Sequence, residues 1–157
     1  MTSDSHWSEQ SQPEPRTEQV VAEPLKPRPA LGVVAQRLAD VSPAWAAAII
    51  DPELAPSDDP LAATLGRSRA QGVESIREGW LLHRAASRLG PDASPDLALL
   101  MGDWCYAAGL CTIADHGSLD DVARLAALIA NVSARADEPV EQLNIHWTET
   151  TEAMHHA

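Results

Sequence analysis

Apolar residues first recur at helical spacing at Leu31, Val34, Leu38 and Val41, which predicts a helix over 31–40. Ser42 followed by Pro43 then predicts a capped, Ala-rich second helix ending near Asp51 and Pro52. A loop holding Pro52, Pro56 and Asp58 leads to Asp59–Pro60, a second cap with proline at the first helical position, and a long helix is expected over 60–89, stopped by Gly90–Pro91. Ser94–Pro95 repeats the start signal. The helix over 95–115 is apolar on nearly every side, so a central or interface position is expected for it. His116–Gly117 closes it, and Ser118 with Asp121 three residues on makes a capping-box-like start. Val122, Leu125, Leu128, Ile129 and Val132 mark the apolar face of the last helix, which Pro139 bends or interrupts before Val140, Leu143 and Trp147 resume the stripe. No stretch alternates with the period of a strand, so the fold class is all-α: a helical bundle over 31–157.

Residues 1–30 hold Pro13, Pro15, Pro24, Pro27 and Pro29 among Ser, Gln and Glu, with almost no apolar periodicity. Such a segment buries too little apolar surface to offset the entropy of ordering, so a disordered tail is expected, either solubilising or a docking segment. The rest of the 157 residues suits one core. Charge narrows the partners. At a formal −12 the chain lacks the clustered cations that draw proteins to nucleic acid or anionic lipid. No basic region precedes an apolar run at the N-terminus, and the longest apolar segments fall short of a membrane span or are interrupted by Asp103, so a cytoplasmic location without an integral membrane segment is expected. Cys105 and Cys111, six apart in one helical stretch, cannot bridge without unwinding it and read as small buried hydrophobes.

Few residues suggest chemistry. Six histidines and two cysteines are present, but no pair has the close same-face spacing of a metal site, so no metal bound by this chain is expected. Cys105 lies in an apolar helix, and the paired acids Asp58–Asp59 and Asp120–Asp121 sit where helix capping explains them; no catalytic residue is assigned. In the helix expected over 60–89, Arg77, Arg84 and Arg88 share one face, available either to an anion or acidic partner or to solvent beside Glu74 and Glu78. Along the apolar helix, Ala98, Gly102, Cys105 and Gly109 are spaced four, three and four, which lets a neighbouring helix approach closely. With Trp104 and Tyr106 at its sides, this stripe is the candidate partner interface.

The segment 81–143 resembles the first half of the trans-polyprenyl diphosphate synthases. In that family Leu-x-His precedes an Asp-rich motif, followed by Arg-x-Gly-x-Pro, a helix bearing Leu-x-Gly-Asp-x-Leu, an acid-started Leu/Ala-rich helix, and Gly-Glu-x-x-Gln. Here Leu81, Leu82 and His83, then Met101, Gly102 and Asp103, then 119–129, then Glu138 to Gln142 fall in that order. His83, Gly102, Asp103 and Gln142 are therefore the family-motif positions. The departures are as informative: Arg84 and Ala85 stand where the paired aspartates belong, and no second Asp-rich cluster occurs in the sequence. The resemblance implies loss of both carboxylate clusters that hold magnesium and the allylic diphosphate, so magnesium is expected only in a catalytic partner.

Among such synthases, the small subunits of heteromeric hexaprenyl and heptaprenyl enzymes resemble this chain in size, helical content and the Leu-x-Gly-Asp-aromatic segment. The resemblance implies a non-catalytic subunit of an isoprenoid-synthase-like helical fold that supports chain elongation by a catalytic partner. A helical scaffold or interaction protein of the same shape, without a prenyl synthase partner, is the alternative, and self-association into a homo-oligomer stays open beside both. An independent enzyme is the third reading.

Overall fold

The computed structural model describes residues 29–54 and 60–156. The tail expected to be disordered therefore lies outside the described residues apart from its last two positions, as do the acids Asp58 and Asp59. The described residues form seven α-helices and a short 3-10 turn at Pro52–Leu54, with no strand among them. The helices are α1 (Ala30–Val41), α2 (Pro43–Ala48), α3 (Pro60–Leu65), α4 (Arg67–His83), α5 (Pro95–His116), α6 (Leu119–Ala134) and α7 (Val140–His155).

Local signals decide several helix ends. Ser42 Oγ accepts from the Trp45 amide at 3.3 Å, which starts α2. Ser118 and Asp121 exchange hydrogen bonds at 3.0 and 3.1 Å, closing the capping box at the start of α6. Pro139 separates α6 from α7, since it cannot continue the helix ladder.

The long helix expected over 60–89 is two helices and a non-helical segment over 84–89 instead. Gly66, with φ of 77°, breaks it between α3 and α4 by adopting a left-handed conformation that glycine takes freely. At the far end α4 stops at His83 rather than at Gly90–Pro91. The Ala86 amide donates to the Leu81 carbonyl at 2.9 Å and the Ala85 amide to Leu82 at 3.2 Å, the double bond of a Schellman ending. Ala85 takes the left-handed position at φ 51°, where a Cβ is unfavourable by roughly 1–2 kcal/mol. A side chain of α4 holds the segment that follows that turn.

The holder is Glu78, which is fully buried. Its Oε1 accepts from Ser87 Oγ at 2.6 Å and from the Arg88 and Leu89 amides at 3.0 and 3.1 Å, while its Oε2 accepts from Arg88 Nε at 2.9 Å. Arg88 Nη2 continues to Glu74 at 2.7 Å. A buried carboxylate needs this degree of pairing to offset its desolvation, and the pairing fixes the path of the turn at 87–89.

Antiparallel α4 and α5 form the spine. Gly72 lies against Gly109 and Ile113, and Gly79 lies against Gly102 and Cys105. A Cβ on Gly109 would stand 2.7 Å from the Gly72 carbonyl oxygen and 3.0 Å from the Ile76 nitrogen, so the two backbones are already in contact there. Two cores hang on this spine. Leu31, Val34, Ala35 and Leu38 of α1 pack with Leu82, Leu89, Met101 and Cys105 on one side, bordered by Trp45 edge-on to Trp104 at 6.1 Å. On the other, α6 and α7 bring Leu125, Leu128, Val132, Leu143 and Trp147 against Val73, Ile76, Trp80 and Ile113, with Trp80 and Trp147 5.6 Å apart.

Candidate functional site

The small-residue stripe of α5 is divided between the inside of the chain and its surface. Gly102, Cys105 and Gly109 are buried, and the close approach they permit is made by α4 of the same chain. Ala98 and Trp104 pack partly buried on the α1 core, and Tyr106 on the α6–α7 core. The exposed residues of α5 include Asp96, Leu99, Leu100, Asp103, Ala107, Cys111 and Ala114, with Leu99 and Asp103 at the edge beside the end of α4. Leu99 and Leu100 remain 55% and 59% exposed, uncommon for two adjacent leucines in a helix that otherwise supplies core. Cys111 corrects the expectation of two buried thiols: only Cys105 is buried. Because α5 is apolar all round, its sequence gives no phase from which to tell the two faces apart.

Asp103 interrupts the same helix, which is nonetheless apolar along most of its length. α5 has 22 residues, and less than a third of its most apolar part is buried in this chain. By length and composition it meets the requirement for a span, which core helices of soluble proteins also meet.

Three of the four positions that carry the resemblance in sequence meet where α4 ends beside the first half of α5. His83 Nε2 lies 3.3 Å from both the Asp103 carboxylate and the Leu99 carbonyl oxygen, two acceptors that assign its proton to that nitrogen. The His83 ring also covers Gly102, where a Cβ would collide with it, and stands edge-on to Tyr106 with centroids 5.2 Å apart. Burial, then the neighbouring Asp103 charge, pushes the Tyr106 hydroxyl up to about 12. Gln142 is elsewhere, exposed in the first turn of α7.

The three arginines do not share a face, because α4 ends before two of them. Arg84 donates to the backbone carbonyls of Arg135 and Glu138 and ties the end of α4 to the α6–α7 connection. Arg88 belongs to the Glu78 network; burial opposes its charge, but Glu74 and Glu78 more than compensate and its pKa is raised. Arg77 donates to Asn144 Oδ1 at 3.1 Å on α7, and burial, helped by the Arg88 charge, lowers its pKa. Each is committed inside the chain, so no joint anion site arises from the three. Among the described residues, no three His, Cys, Asp or Glu side chains gather in a metal-binding group.

The two thiols give a direct check on this placement. Burial, then the Glu78 charge, raises Cys105 from 9.0 to about 12. The folded chain is expected to react with one equivalent of a thiol reagent at pH 8, at Cys111, and the denatured chain with two. Labelling of both thiols in the native state at equal rates would contradict the burial of Cys105. The sign of the linkage also follows: the raised pKa values of Cys105 and Tyr106 contribute stability below pH 9, and it is lost as pH rises toward 12.

Compared with models of known protein families, with curated proteins and with solved structures, the chain matches none.

Proposed function

We propose that the chain is a non-catalytic subunit of a heteromeric trans-polyprenyl diphosphate synthase, docking through the outward face of α5 onto a catalytic partner that elongates the isoprenoid diphosphate. The observation that carries the docking part is this face, where Leu99, Leu100, Ala107, Cys111 and Ala114 leave the most apolar helix of the chain half uncovered. The assignment to a prenyl synthase rests on the motif order read from the sequence. It is supported by the meeting of His83, Gly102 and Asp103 in one cluster. The non-catalytic part rests on Arg84 and Ala85, one tied to backbone carbonyls and the other in a left-handed turn, where the family places metal-binding aspartates. On this reading, magnesium and both diphosphates belong to the partner.

The test is co-purification with an Asp-rich synthase, followed by assay with isopentenyl diphosphate, an allylic diphosphate and magnesium. The chain alone is expected to give no condensation, and the pair to give long products. A Leu99→Asp, Leu100→Asp double variant should release the partner while melting as the wild type does, because both side chains face out. Magnesium-dependent turnover by the single chain would make it an independent enzyme, and capture of an unrelated partner would make it a scaffold; either result overturns the proposal.

A further inference from the structure

A pocket opens between the end of α4 and the start of α5. Its volume is about 320 Å³, and its walls include Leu82, Ala85, Ala93 and Leu99, with His83 and Asp96 as the ionisable side chains. That volume sits at the small end of binding pockets, which run from roughly 300 to 1,000 Å³. It suits one large anchor group rather than an extended ligand.

The pocket is held open by structure that already has a cost. Ala85, on its wall, is in the left-handed turn, and Ser87, also on the wall, donates to the buried Glu78 carboxylate. The four hydrogen bonds to Glu78 thus fix one side of the pocket, and the rigid α5 fixes the other. Preformed apolar pockets of this kind receive the anchor residues that dominate binding energy at interfaces. Leu99 belongs both to the pocket and to the exposed face of α5, so the two surfaces are continuous.

Charge selects the occupant. Asp96 makes no ion pair among the described residues, Asp92 stands exposed between the pocket-lining Pro91 and Ala93, and the His83 proton is engaged by Asp103 and Leu99. The surroundings of the pocket are therefore acidic. A second copy of this chain, at −12, would bring like charge to it.

We propose that this pocket is the anchor site for the partner: it takes one large apolar side chain from a partner segment that carries Lys or Arg beside that residue. The proposal rests on the reading of the chain as a docking subunit and adds the chemistry of what docks.

The probe is a fluorescein-labelled helical peptide of Leu, Trp and Lys, with the same peptide bearing Glu for Lys as its counterpart, titrated against the full chain by anisotropy. The Lys peptide is expected to bind on the order of tenfold more tightly than the Glu peptide. Ala93→Trp, which fills the pocket, should weaken it by about as much again. Asp96→Asn, a surface change that leaves packing alone, should weaken it about threefold, and Asp120→Asn, an exposed acid at the start of α6 beyond the opposite end of α5, should not. Equal binding of the two peptides, or binding unaffected by Ala93→Trp and Asp96→Asn in chains of unchanged melting temperature, overturns the proposal. So does a dimer in sedimentation that Ala93→Trp abolishes, which would make the occupant a second copy. If 3-phenylpropylamine fills the pocket without displacing the Lys peptide, the site belongs to small molecules and the proposal again fails. Leu100 does not line the pocket, so a chain that loses its synthase partner on Leu100→Asp but not on Ala93→Trp keeps the docking reading and loses the anchor site.

Discussion

Glu78→Leu should lower the stability of the chain by about 3–5 kcal/mol in denaturant unfolding, the range for removing one partner of a buried charge network. The change leaves the Arg88 and Leu89 amides without their carboxylate acceptor and separates Arg88 from the deeper of its two acids. It also releases Ser87 Oγ, which meanwhile accepts from the Leu89 and Gly90 amides at 3.1 and 2.7 Å and so retains part of the turn. The loss should therefore appear first as rapid amide exchange at 87–90 and then as global destabilisation. A loss under 1 kcal/mol would show that the turn is held by its backbone alone.

Gly109→Leu is the second large effect, and it is expected to fall on folding of the isolated chain. A leucine there must displace the Gly72 carbonyl and the Ile76 backbone nitrogen, neither of which can move as a side chain does. Overpacking of a core usually costs about 1–3 kcal/mol, and contact with backbone on the opposite helix places this site at or above the upper end. Gly109→Ala is the finer measurement. Helix propensity favours alanine by roughly 1 kcal/mol, so a net loss for Gly109→Ala means that steric conflict exceeds that gain. A melting temperature unchanged by Gly109→Leu would contradict the packing of α5 on α4.

What could be read from the sequence was what neighbouring residues decide among themselves. Ser42, Ser118 and Pro139 act on amides within three or four positions, and the structure uses each as read. Glu78 acts across nine to eleven positions, on Ser87, Arg88 and Leu89, and a buried carboxylate looks no different in sequence from a solvated one. The sequence pattern therefore runs the helix on to Leu89 and sets Arg84 and Arg88 on a helical face that does not exist. Gly66 carried a signal that could have been used, since a glycine inside an otherwise helical pattern is a candidate break. The glycine stripe of α5 was legible as a contact, but whether the contact lay within the chain depended on Gly72 and Gly79, which repeat a small-residue spacing seven apart on α4.

The α4–α5 spine carries its two cores on opposite flanks, and few contacts join those cores except through the spine itself. Such a plan divides the molecule into two compartments with separate local stabilities. The α6–α7 layer can loosen while the α1 layer, the Glu78 turn and the start of α5 stay assembled. A partner seated at that end would then reinforce one compartment and leave the other to breathe, so the degree of protection across the chain would report which end is occupied.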